Sequence, residues 1–103
     1  MRMLRIYGIA LQALEAMRAG IARIEMRDKD LARQMRRAAS SIVLNIAEGS
    51  GCSGGTRRER YRNALGSARE VEACIDVARA WHYVDIDVGA LRQVIGTLVN
   101  LTR

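Results

Sequence analysis

The sequence predicts an all-α fold, an antiparallel up-down-up-down four-helix bundle, on three observations. Apolar residues recur at three- and four-residue steps through four separate stretches, the pattern of amphipathic helices. No stretch shows the two-residue alternation of a strand. The chain has no proline and no phenylalanine, so helices can run uninterrupted and the core must be Leu, Ile, Val, Ala and Met. Its 103 residues suit one domain, residues 1–103, with no internal repeat or linker. A core of this size is modest, which makes burial between copies of the chain a natural further source of stability.

Helix one is predicted from about Met3 to Glu25, with Ile6, Ile9, Ala10, Ala13, Met17, Ile21 and Ile24 along one stripe. Its start has the early arginine and apolar run of a signal peptide. Arg5, Gln12 and Glu15 interrupt that run and the spacing stays helical, so the segment reads as a mature helix. The polar break from Arg27 to Asp30 offers Asp28 or Asp30 as a cap for the next helix.

Helix two is predicted over about Leu31 to Ala47, with Leu31, Met35, Ala38, Ile42 and Ile46 inward. At about 100° per residue, Arg33, Arg36, Arg37 and Ser40 fall on the opposite face with Leu44 and Ala47, and Asn45 lies at the edge between the two. A basic face carrying a leucine looks more like an interface than like plain solvated surface. Gly49 to Gly55 reads as a flexible loop.

Thr56 and Glu59 then fit a capping box opening helix three, Thr56 to about His82, where Tyr61, Leu65, Ala68, Val71, Ile75, Ala78 and His82 keep core-like spacing. Ala64, Gly66, Ser67 and Ala68 are small enough to admit a neighbouring helix. A second turn, Val84 to Asp87, leads to helix four, about Val88 to Leu101, with Leu91, Val94, Ile95, Leu98 and Leu101. Helices two and three form the hairpin around which the rest is expected to pack.

That hairpin carries most of the positive charge. The net charge is +6, and of 17 basic residues only Lys29 is lysine. Residues 1–62 hold 13 basic and 6 acidic side chains, whereas residues 63–103 hold 4 and 5. A one-sided basic balance points to a polyanionic partner, RNA or DNA, and the guanidinium fork grips two phosphate oxygens at once. The candidate contacts are Arg33, Arg36, Arg37, Arg57, Arg58, Arg60 and Arg62. With one Trp and three Tyr, base stacking is not expected to dominate. The competing readings are a face that merely solvates its helices and a scaffold that meets an acidic protein.

Enzyme chemistry finds little support. The run from Gly49 to Thr56 resembles a phosphate loop, but Gly55 stands in the lysine position and a helix precedes it where that motif needs a strand. Nucleotide hydrolysis is therefore not expected. The single histidine, His82, has Arg79 three residues before it, so the Glu-x-x-His pairs of a di-iron bundle are missing. Cys74 and His82 are two possible ligands without a third, and Cys52 with Cys74 makes no disulfide framework. No catalytic residue, metal or cofactor is predicted.

Glu70, Glu72 and Asp76 are expected to pair with Arg69 and Arg79. Glu48 and Glu70 lie in segments otherwise small or apolar, so half-buried carboxylates are expected there. Their partners would be Arg36, Arg37 or Arg69, within the chain or across a subunit contact. Asn45, Glu48, Ser67 and Glu70 are accordingly candidate structural or interface residues. No segment approaches the roughly 20 apolar residues of a membrane span, and a cytoplasmic location is expected.

Three stretches carry a resemblance: Arg37-Ala38-Ala39-Ser40-Ser41-Ile42, Asn45-Ile46-Ala47-Glu48-Gly49 and Ala64-Leu65-Gly66-Ser67-Ala68-Arg69-Glu70. Together, over about residues 30–80, they resemble the bacterial four helix bundle protein family. It is also called the 23S ribosomal RNA intervening-sequence protein family, and it includes the accessory variability protein of diversity-generating retroelements. The resemblance implies a four-helix protomer, a ring-like homopentamer with a basic surface and, for the retroelement branch, binding to nucleic acid and to a reverse transcriptase. Two features depart from the family pattern: Leu44 stands where members often carry proline, and six residues, Ser50 to Gly55, precede the next basic region instead of an early basic residue.

Overall fold

The computed structural model describes residues 2–103, with side chains from residue 5 onward. It contains four helices, α1 (Arg2–Glu25), α2 (Lys29–Ser50), α3 (Gly54–Ala80) and α4 (Gly89–Leu101). The stripes predicted from spacing become one aliphatic core. Ile6, Met17 and Ile24 of α1 meet Met35 and Ile46 of α2, Val71 and Ile75 of α3, and Leu91, Val94 and Leu98 of α4, all but shut off from solvent. Ala32, Ala39, Ala64, Ala68 and Ala78 are buried among them, so the helices pack closely without aromatic spacers. Ile9, Leu65, Ile95 and Leu101, expected inside, are half-buried at the core's rim.

The main contacts set α1 against α2 and α4, and α3 against α2 and α4, with the α2–α3 contact the most extensive. Side-chain pairs along that contact run Gln34 with Glu70, Ser41 with Ser67 and Glu48 with Arg60. Residue numbers rise on one helix as they fall on the other, so α2 and α3 are antiparallel. The α1–α2 turn and the α3–α4 connection lie at one end of the bundle, where the Tyr83 hydroxyl donates to Asp28 Oδ2 at 3.2 Å. The result is a rod of 42 × 20 × 19 Å, a four-helix bundle as the sequence predicts.

The helix ends differ most from expectation. Asp28 is the N-cap of α2, accepting a hydrogen bond from the Leu31 amide at 3.0 Å. Its other oxygen holds Tyr83, so one carboxylate caps a helix and fastens the opposite connection to it. Asp28→Ala is expected to lower stability by about 0.5–2 kcal/mol, readable as a shift in the urea midpoint.

The predicted loop from Gly49 to Gly55 is shorter, because α2 continues through Ser50 and α3 already begins at Gly54. The capping box at Thr56 and Glu59 does not form. Thr56 lies inside α3, and the N-cap is Ser53, which makes no side-chain cap bond. Gly54 has φ +59, a left-handed conformation that glycine adopts without the penalty of a Cβ, and the helix opens three residues earlier than the box would place it.

His82 is also not a core residue. It follows the end of α3 at φ 60 and is exposed. Its amide donates to Arg79 O at 3.0 Å and the Tyr83 amide to Ala78 O at 2.9 Å, the two bonds of a Schellman turn.

Candidate nucleic-acid interface

Helical spacing places Arg33, Arg36 and Arg37 on the outward face of α2, and all three are exposed. Their surroundings differ. Arg36 Nη2 lies 2.7 Å from Glu25 Oε1, and Arg33 Nη1 lies 3.5 Å from Asp30 Oδ1. Arg37 has no ion-pair partner among the described residues. It stands between two shallow hollows. One, of about 570 Å³, follows the α2–α3 seam and is lined by Asp30, Arg33, Gln34, Arg37, Ala38, Ser41, Ser67 and Glu70. The other, of about 520 Å³, is lined by Arg36, Arg37, Ser40, Ser41, Leu44, Asn45 and Glu48. Leu44 is 60% exposed in the second hollow, an apolar group set among guanidinium groups.

The four arginines at the start of α3 do not form one patch. Arg57 Nε donates to Cys52 O at 2.9 Å and Gly49 O at 3.4 Å, so it closes the α2–α3 turn by satisfying carbonyls at the end of α2. Arg60 faces α2 and meets Glu48 at 3.4 Å. Arg58 and Arg62, one turn apart, are exposed without an ion-pair partner among the described residues. Residues separated by two positions point roughly 200° apart on a helix, which is why Arg58 and Arg60 cannot share a face.

The polar residues of the hairpin form a small network at its seam. Ser67 Oγ donates to Ser41 Oγ at 2.8 Å, and Asn45 Nδ2 donates to Ser41 O at 2.9 Å and to its Oγ at 3.0 Å. Glu48 and Glu70, expected half-buried, are both exposed. Glu48 pairs with Arg60, and Glu70 accepts from Gln34 Nε2 at 3.4 Å, in place of the expected Arg36, Arg37 or Arg69. Arg79 likewise meets Asp85 at 2.7 Å and Ile86 O at 2.9 Å, and so tethers the α3–α4 connection instead of pairing with Glu72 or Asp76.

The titrating groups follow these contacts. The hydrogen bond from Arg36, and then its charge, holds Glu25 below the usual carboxylate range, and Arg79 acts on Asp85 in the same way. Both carboxyls have depressed values in the fold. Their contribution is present above the unfolded carboxylate range near 4 and is lost as pH falls through the folded values. Burial, then the Glu70 charge, pushes the Cys74 thiol up, which keeps it protonated and unreactive at neutral pH.

The chemistry available on this surface is anion binding by guanidinium groups. Spacing found the arginines but missed which of them the fold consumes. Arg57 and Arg60 are committed by the tightness of the turn, a three-residue connection (51–53) that glycine and serine content made look longer.

A family model described as 23S rRNA-intervening sequence protein matches residues 4–100. The chain belongs to that family. The match extends the resemblance of the central hairpin to nearly the whole chain and takes in almost all of α1 and α4. No curated protein matches the chain, and no solved structure does. Among the described residues, no helix is long and apolar enough to cross a membrane.

Proposed function

We propose that this protein is a non-enzymatic, homo-oligomeric helical bundle that binds RNA or DNA through exposed arginines. The observation that carries the reading is the state of Arg37, Arg58 and Arg62, solvent-exposed guanidinium groups that no carboxylate neutralises among the described residues, in a chain of net charge +6. Arg33 and Arg36 widen the α2 surface, because exposed ion pairs of their kind are worth little and exchange readily for phosphate. Contacts of this type position a nucleic acid without reading its sequence. The resemblance supports a five-membered ring and an accessory role beside a nucleic-acid enzyme such as a reverse transcriptase, and the proposed location is the cytoplasm.

Leu44 favours a second reading, a protein-interaction scaffold that makes no nucleic-acid contact of its own. A 60% exposed leucine in the hollow that Arg37 and Ser40 also line adds nothing to phosphate binding but suits a protein surface.

Size-exclusion chromatography with light scattering, run at low and high salt with and without a short mixed-sequence RNA or DNA, separates the two. The expected result is an oligomer that persists in high salt, takes up the oligonucleotide at low salt and releases it at high salt. An oligomer that ignores the oligonucleotide at low salt transfers the arginine face to the scaffold reading.

A further inference from the structure

The end of α3 carries the single tryptophan of the chain, and the fold sets it in the open. Trp81 is the C-cap of α3 and is 67% exposed. His82, at φ 60, turns the chain between Trp81 and Tyr83, and the two rings stack with centroids 6.4 Å and planes 19° apart. Tyr83 is held in turn by Asp28, which accepts its hydroxyl at 3.2 Å. The indole is therefore backed by a ring fastened to the start of α2, while most of it stays open to solvent.

The α2–α3 register places this stack on the bundle. Ser67 and Glu70 face α2, where they meet Ser41 and Gln34. Trp81 follows Glu70 by eleven residues, close to three whole turns, so it faces the same side. Because the helices are antiparallel, the end of α3 lies beside the start of α2. Trp81 thus stands where the seam ends whose hollow Arg33 and Arg37 line.

The charges around it are unbalanced. The acids at this end already have partners. Asp28 holds the Leu31 amide and Tyr83, Asp30 meets Arg33, Asp85 meets Arg79, and Asp87 accepts from the Gly89 amide. Arg27 and Lys29 are exposed and make no ion pair among the described residues. Burial, then the charge and hydrogen bond of Asp28, push the Tyr83 phenol up, and the Arg27 charge opposes them. Arg27 is therefore within electrostatic reach of the stack.

A flat aromatic face beside unpaired cations suits a ligand that is both aromatic and anionic, as every nucleotide of a single strand is. We infer that Trp81 stacks an unpaired base of single-stranded RNA or DNA, with the neighbouring phosphates at Arg27 and, along the seam, at Arg33 and Arg37. This site, which rests on the nucleic-acid reading above, decides the form of the partner. Inside a duplex each base is already stacked on both faces, so the platform favours a single strand. One ring adds to the affinity, and the phosphate contacts still set the salt dependence.

The lone tryptophan reports on its own site. The wild-type protein is titrated at low salt with oligo-dT, with oligo-U of the same length, with a duplex and with inorganic polyphosphate. Tryptophan emission is read throughout, and anisotropy on labelled oligonucleotides. Both single strands are expected to quench the emission, and their relative affinities tell DNA from RNA. Polyphosphate, which offers the charges without the bases, should leave the emission unchanged. Trp81→Ala is expected to weaken single-strand binding roughly 5- to 100-fold, with the salt slope and the duplex affinity unchanged, and Trp81→Phe should keep most of the binding. So exposed a side chain should be replaceable with the wild-type circular dichroism retained. Single strands that bind without quenching, an equal quench by polyphosphate, or a folded Trp81→Ala protein that binds single strands as tightly as the wild type overturns the inference and leaves the arginine contacts standing. No binding of any oligonucleotide overturns both.

Discussion

A Gly49→Val variant is expected to melt roughly 5–20 °C below the wild type, from overpacking worth about 1–3 kcal/mol in a domain of this size. Gly49 is buried near the end of α2, and a Cβ placed there would sit 2.6 and 2.8 Å from the ring carbons of Tyr61 and 3.2 Å from the Arg60 Cβ. Tyr61 is only 3% exposed, so its ring has no open side to move into. The glycine lets α2 and α3 approach closely just before their turn. It also allows the two residues on either side of the clash, Glu48 and Arg60, to pair. The contrasting substitution is Gly66→Ala. Nothing lies within 4 Å of the position its methyl group would take, and exchanging glycine for alanine in an exposed helix interior stabilises by about 1 kcal/mol. Thermal melts of the two variants should move in opposite directions. A Gly49→Val protein that melts with the wild type would mean that the hairpin is looser than its geometry.

The second large effect concerns binding. Replacing Arg37, Arg58 and Arg62 together by alanine is expected to weaken oligonucleotide binding by a similar factor for every sequence tested. It should also flatten the salt dependence by about 2–3 units of slope, near one unit for each phosphate contact removed. The same three changes are expected to leave the melting temperature within a few degrees of the wild type, since exposed side chains without partners contribute little to stability. The control is Arg57→Ala, which removes a group already bound to the Cys52 and Gly49 carbonyls. It should disturb the turn and leave the slope nearly unchanged. If Arg57→Ala lowers the slope as much as the loss of Arg58 does, the division between structural and free arginines is wrong. Anisotropy titrations over a salt series measure all of this.

The sequence was informative where one periodicity governs. Met17, Met35, Ile75 and Leu98 lie where three- and four-residue spacing puts them, because burial of an apolar stripe decides a helix's orientation almost alone. It was misleading at the α2–α3 turn. Glycine and serine there suggest a long loop, yet Gly49 serves close packing and Gly54 serves a positive φ, two uses that composition does not separate. Thr56 and Glu59 satisfy the capping pattern in letters, but the preceding glycines let the helix start earlier.

At the site, residue types were legible and partners were not. Arg36 with Glu25, Arg60 with Glu48 and Arg79 with Asp85 depend on the register between elements, which no local pattern encodes. The expected burial of Glu48 and Glu70 failed for a related reason. Small apolar neighbours such as Ala47 and Gly66 are themselves on exposed faces, so they give no shelter to the carboxylates beside them.

The measurement that tests nucleic-acid binding most directly is the affinity of the wild-type protein for a fluorescein-labelled, mixed-sequence RNA across a salt series, repeated with DNA of the same sequence. The expected result is a straight line of log affinity against log salt with a slope of roughly −2 or steeper, as the release of counterions from several neutralised phosphates requires. A flat line, or no binding at the lowest salt, would contradict it and leave the arginine face to a protein partner.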